Sequence, residues 1–144
     1  MKKIITGVAI LALAACGNSS SKKNDENQGE RKKLMEDVMA LHDKYMPQMD
    51  SLKNLNNRLG TQLDSVVKDS AMTIEFENAR TQLENASEGM MDWMRNFEKP
   101  ADSVKKEEAI NYLNDQKQLM ENVGVEMEKS MHRADSLLNL SKKK

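Results

Sequence analysis

Apolar side chains recur at alternating three- and four-residue intervals over three long stretches of this chain, the spacing that puts them on one face of an α-helix. From about Arg31 to Val67 the rhythm is held by Val38, Leu41, Tyr45, Leu52, Leu55, Leu59 and Val66. Gln48 and Gln62 occupy two of the expected slots, and Met49 and Leu63, one residue further on, are expected to take over their contacts. Pro47 sits inside this pattern and lacks the N–H that a continuous helix needs, which predicts a kink or break near Asp43–Pro47. Gly60 is a second soft spot.

The second stretch is the most regular. Met72, Phe76, Ala79, Leu83, Ala86, Met90, Trp93 and Phe97 alternate by four and three without a gap, as in the seam of a coiled coil. Asp69 or Ser70 is the expected N-cap, and Lys99-Pro100 the expected stop. The third stretch, from about Ser103 to Leu140, carries Ile110, Leu113, Met120, Met127, Met131, Ala134 and Leu138, with Lys117 and Gly124 as weak layers. Both connections are short, which forces neighbouring helices antiparallel. The expected architecture is all-α: an elongated antiparallel three-helix bundle, coiled-coil-like, running up-down-up over about 50–55 Å. A dimer, or a two-helix hairpin with the third helix swung away, is the alternative.

Composition supports helices over sheet. Aromatic residues make up 3% of the chain and charged residues 31%, with two prolines and six glycines in 144 residues. Met, Leu, Glu, Lys, Asn and Gln dominate, and these favour helix and leave a β-sheet short of its usual residues.

The first thirty residues follow a different pattern. Met1-Lys2-Lys3 precedes an uncharged run from Ile4 to Ala12, and Leu13-Ala14-Ala15 leads into Cys16. A basic start, a short apolar segment and small residues before a cleavage point describe a secretory signal. The run is shorter than the roughly 20 residues needed to span a bilayer. Cys16 is the only cysteine in the chain. Its place directly behind Leu-Ala-Ala predicts cleavage before it and a thioether from its sulfur to diacylglycerol, with Cys16 the acylated, palmitate-bearing first residue, a modification that removes an otherwise reactive lone thiol. Two or more acyl chains hold firmly where one is marginal. Gly17 after the cysteine, in place of aspartate, points to the outer membrane, and the non-acidic stretch Gly17–Lys23 to its periplasmic face rather than the cell surface. Residues 1–15 thus read as a signal peptide and 16–30 as a lipidated cysteine with a flexible, disordered tether of polar residues. Residues 31–144 read as the helical bundle. Loss of Lys2 and Lys3 with the leader leaves 20 basic against 23 acidic side chains, which is no footprint for nucleic acid.

Catalytic patterns are missing from the sequence. His42 and His132 are the only histidines, and neither lies in the Glu-x-x-His motif of a di-iron bundle. No glycine-rich phosphate loop, zinc spacing or nucleophile elbow occurs. The expectation is a protein that is not an enzyme. His132 reads as an ordinary helix-surface residue.

One constellation stands apart. Met35, Met39, His42, Met46 and Met49 form a second stripe beside the first seam, spaced four, three, four, three. If the chain turns near residues 68–69, His42 comes level with residue 94, inside Met90-Met91-Asp92-Trp93-Met94. Thioether and imidazole are neutral, soft donors that select Cu(I) or Ag(I). In that reading Met39, His42, Met46, Met91 and Met94 are the metal ligands and the Trp93 face is a cation–π cap. Methionine is also a flexible filler of core gaps and of pliable partner surfaces, and that plainer reading applies to the same residues. A haem held by a Met/His pair is disfavoured by the narrow width of three helices.

Leu41-His42-Asp43 with Met46-Pro47, then Met90-Met91-Asp92-Trp93-Met94-Arg95-Asn96-Phe97, then Glu107-Glu108-Ala109-Ile110-Asn111-Tyr112-Leu113 resemble a group of small Bacteroidota lipoproteins of unknown function, often labelled "viral A-type inclusion protein". The resemblance covers most of residues 30–140, with the Met-Met-Asp-Trp-Met stretch its most specific part. It implies the lipid anchor and the long helices and leaves the activity open. Residues and resemblance together predict a membrane-anchored, non-enzymatic interaction or structural module of the cell envelope. Its expected partners are the membrane, through the N-terminal lipid, and an envelope protein or a second copy of the chain. Periplasmic Cu(I)/Ag(I) binding is the alternative.

Overall fold

In the computed structural model, residues 19–66 and 70–141 are described, with side chains from residue 29 onward except at 64–66 and 70. The leader, Cys16 and the three closing lysines lie outside the described residues. So does Asp69, one of the two expected caps of the second helix.

The pattern of the first stretch produces one rod in two parts. Helix α1 spans Ser19–Tyr45, a 3-10 turn covers Met46–Gln48, and α2 spans Met49–Val66. The break falls on Pro47, at the start of the tighter turn, where its missing N–H and fixed φ are tolerated. The Gln48 side-chain amide donates to the Lys44 carbonyl (3.4 Å) across the break. Helix α3 spans Ser70–Asn96 and α4 spans Lys106–Ser141, whose 36 residues extend about 54 Å at roughly 1.5 Å each.

The start of α1 corrects the tether. Sequence reading ends the flexible segment at residue 30, whereas the helix already begins at Ser19. Residues 19–30 carry no apolar stripe, so the pattern used to find helices gives no signal there. Adding turns to a helix already nucleated costs far less than starting one, and the Lys, Glu and Gln in this stretch are good helix formers.

Three rods then pack up-down-up. The first rod and α3 run antiparallel: Asn56 Nδ2 donates to Glu84 Oε1 (2.8 Å), and Arg80 Nε donates to Asn56 Oδ1 (2.7 Å). Helices α3 and α4 are antiparallel as well, with Glu75 paired to Arg133 near one end and the Glu98 N–H donating to the Tyr112 hydroxyl (3.1 Å) at the other. Helix α4 therefore runs parallel to the first rod. Asp37 meets Lys117 (3.5 Å), Lys44 meets Glu128 (3.2 Å), and Arg58 meets Asp135 (3.7 Å), in ascending order along both. This is the all-α three-rod bundle that the seams predict.

The seams form the core. Val38, Tyr45, Leu52, Leu55 and Leu59 from the first rod meet Phe76, Ala79, Leu83, Ala86, Met90 and Trp93 from α3. Met120, Met127, Ala134 and Leu138 of α4 close the cluster. Each large side chain of this kind contributes about 1.5–3 kcal/mol when fully buried. Met49 and Leu63 pack against it from the slots beside Gln48 and Gln62. The two weak layers of α4 are resolved differently: Lys117 turns outward to Asp37, while Gly124 is buried beneath the Tyr45 ring. Among the described residues, no helix is long and apolar enough to cross a membrane.

Candidate functional site

The flanks of the rods determine which side chains face each other. On the first rod, Asn56 and Gly60 face Arg80 of α3, whereas Arg58 and Lys44 reach α4. Stepping back from Asn56 by helical spacing along the same flank gives Lys53, Met49, Met46, His42, Met39 and Met35. On α3 the matching flank runs from Arg80 through Glu84 and Ser87 to Met91 and Met94. Met49, Lys53 and Asn56 do share a shallow groove with Leu83, Glu84 and Ser87. Further along, the antiparallel register brings His42 against Trp93, with ring centroids 5.6 Å apart and planes tilted by 33°. Chain length alone sets this histidine level with residue 94, one position from the tryptophan it meets. Met39 and Met46 stand three and four residues either side of His42, and Met91 and Met94 stand two before and one after Trp93, so helical spacing sets them on the flanks where these two rings meet.

Trp93 is the anchor of this level. Its side chain is buried, and its indole N–H donates to Gln116 Oε1 of α4 (2.9 Å). Its ring stacks on Phe97 with centroids 4.7 Å apart, and Phe97 in turn lies 6.2 Å from Tyr112. Such offset ring pairs add about 0.5–1.5 kcal/mol beyond their burial. Gln116 belongs to α4 and carries no signal in the sequence pattern. It lies outside the α4 seam, and the polar partner of a tryptophan on another helix leaves no mark on the period.

His42 is oriented from its other side. Its Nδ1 lies 3.0 Å from Asp43 Oδ1. An ionised carboxylate only accepts hydrogen bonds, so Nδ1 donates, and in the neutral ring Nε2 keeps a free lone pair. The imidazole side chain is 19% exposed and the Asp43 carboxylate 73%, which leaves the ring mostly covered and its carboxylate partner in water.

The methionines divide into two pairs. Met39 and Met94 are half-buried and pack against the core cluster. Met46 and Met91 are exposed, although both are large apolar side chains. The structure thus brings His42 and Trp93 together, on the two helices that carry these methionines. His132 is exposed on α4, remote from this level. Among the described residues, no group of three or more His, Cys, Asp or Glu side chains converges as a metal site.

Elsewhere the polar surface is made of ion pairs. The Asp37 carboxyl is held below its usual range, chiefly by the hydrogen bond from Lys33 and further by the Lys117 charge. Hydrogen bonds to the Tyr45 hydroxyl and to Glu128 raise the Lys44 ammonium, and those to Glu88 and Asp92 raise Arg95. All three groups are on the surface, so these pairs are worth little individually. At the loop end, the largely covered Arg31 guanidinium donates to the carbonyls of Pro100 (2.6 Å) and Ala101 (3.1 Å). Beside it a cleft of about 510 Å³ is floored by Met35, Pro100 and Leu113.

No family model, no curated protein and no solved structure matches this chain.

Proposed function

We propose that this chain is a lipid-anchored, non-enzymatic interaction module of the bacterial envelope. Acyl chains on Cys16 hold it at the outer membrane, and the helical bundle faces the periplasm. The observation that carries the reading is the lone Cys16 directly behind Leu13-Ala14-Ala15, at the end of a short uncharged run that follows Lys2-Lys3. The bundle adds support of a second kind. Its described surface is laced with ion pairs such as Lys32–Glu36, Lys33–Asp37 and Lys129–Glu126, which suit a rod standing in water beside a membrane. A body of long helices presents extended flanks to an envelope protein or to a second copy.

Because α1 begins at Ser19, only two residues separate Cys16 from the helix. The bundle proper begins near Arg31, where the side chain reaches the Pro100 loop. The intervening turns, 12 residues from Ser19 to Glu30, add about 18 Å of helix ahead of the bundle at roughly 1.5 Å per residue. The test is metabolic labelling with an alkyne fatty acid, followed by intact mass measurement and membrane fractionation. The reading expects a mature chain starting at a diacylglycerol-modified Cys16 in the outer-membrane fraction, and loss of label and of membrane association in Cys16→Ser. A mature chain with a free thiol at Cys16, or labelling that survives Cys16→Ser, overturns it.

A further inference from the structure

We propose that the level shared by His42 and Trp93 is a binding site for one soft monovalent cation, Cu(I) or Ag(I). The ligands are His42 Nε2 and the thioethers of Met46, Met91 and Met94, with Met39 completing the wall and the Trp93 face covering the ion. This proposal stands apart from the lipid anchor and needs no particular protein partner.

Three observations carry it. The first is donor chemistry. Imidazole and thioether are neutral and polarisable, and their combination favours Cu(I) and Ag(I) over the hard divalent ions that carboxylates collect. The second is orientation. The Asp43 contact at 3.0 Å places the ring proton on Nδ1, so the nitrogen left bare is the one able to bind a metal. A carboxylate behind a ligating histidine is the usual outer partner in such sites, and Asp43 is a positioning residue here. The third is exposure. Met46 and Met91 are 36% and 38% exposed, four residues from His42 and two from Trp93 along their helices, while Met39 and Met94 are half-buried and pack against the core. Their exposure leaves these two thioethers within reach of an ion arriving from solution. Here two sulfur-bearing side chains stay open to solvent on the helices whose imidazole and only tryptophan meet, with ring centroids 5.6 Å apart. An indole face next to a desolvated cation adds attraction and keeps water off it.

The test uses the full chain carrying Cys16→Ser, so that no thiol competes, titrated with Ag(I) and, without oxygen, with Cu(I) against a competing chelator. Methyl resonances of labelled methionine and the fluorescence of Trp93 are the readouts. One equivalent of Ag(I) is expected to shift the Met46, Met91 and Met94 methyls and to change Trp93 emission. The pair Met46→Leu with Met91→Leu keeps apolar volume, and it is expected to weaken binding by about tenfold or more with little change in melting temperature. His42→Gln is expected to do the same. The imidazole nitrogen spectrum of the metal-free chain is expected to show the Nδ1-protonated tautomer, and Asp43→Ala to lose that preference and weaken binding. Unmoved methyls at one equivalent, or equal affinity after the Met46/Met91 pair is changed, overturns the site. Equal affinity and tautomer after Asp43→Ala overturns the role of Asp43.

Discussion

The Tyr45 ring lies so close to the backbone of Gly124 that a β-carbon there would come within 2.1 Å of two ring carbons. Position 124 is thus a slot cut into α4 for an aromatic side chain of the first rod, just before the Pro47 break. In a helix interior glycine is about 1 kcal/mol worse than alanine, so this residue costs helix stability and returns it as packing.

A double-mutant cycle separates those two effects. Gly124→Ala alone is expected to destabilise the bundle by about 1–3 kcal/mol, because the buried ring must move. In a Tyr45→Ala background the same change is expected to stabilise by up to about 1 kcal/mol, the propensity difference on its own. Urea unfolding followed by circular dichroism measures both. A Gly124→Ala effect of the same sign and size in the two backgrounds contradicts the slot.

Gln116 holds the indole of Trp93 from α4. Replacing it with leucine leaves a mostly buried N–H without its acceptor, with an expected cost of about 1–3 kcal/mol. Tryptophan emission is expected to shift at the same time, since the hydrogen bond to the indole is gone. Trp93→Phe in the Gln116→Leu background removes the orphaned donor and is expected to recover part of the loss.

Arg31 holds down the turn between α3 and α4 through the carbonyls of Pro100 and Ala101. Arg31→Ala is expected to cost about 1.5–3 kcal/mol, the range for hydrogen bonds to a charged donor. Amide exchange around residues 97–105 is expected to quicken more than exchange in the middle of α3. Uniform quickening along the whole bundle would show that Arg31 acts elsewhere.

Asp37 supplies a pH dependence with a definite sign. Its carboxyl is depressed in the folded chain by the hydrogen bond from Lys33 and by Lys117, so the ionised form is favoured by folding. The stability that this adds is present above the ordinary carboxylate range and is lost as the pH falls through the depressed folded value. The melting-temperature difference between the natural chain and Asp37→Asn is therefore expected at neutral pH and to shrink toward zero in acid. A difference that persists in strong acid assigns it to shape rather than charge.

Much of the bundle was legible in the sequence because a coiled-coil-like seam is a one-dimensional signal. Met72 to Phe97 could be read one residue at a time, and all eight pack into or against the core. The break at Pro47 was legible for the same local reason, a missing N–H. What escaped depends on two helices at once. Gly124 read as a weak layer because its value lies in Tyr45, which is 79 positions away. Gln116 and Arg31 carry no periodic mark, since a polar group meeting a distant indole or carbonyl is set by rotation and register between rods. The turns from Ser19 to Glu30 escaped for a third reason, since they extend an existing helix and bury no stripe of their own. The level at which the first rod meets α3 was countable from chain length, which is why His42 and Trp93 were expected near each other.

The meeting of those two rings tests the account most directly. Nuclear Overhauser spectra of the full chain, with histidine and tryptophan ring protons assigned, should show cross-peaks between His42 and Trp93, whose centroids are 5.6 Å apart. Cross-peaks from Trp93 to Phe97 and to the Gln116 side chain should accompany them. Trp93 cross-peaks to Phe97 and Gln116 with none to His42 would mean that the first rod does not lie back along α3 at this level, and the site built on that meeting would fall with it.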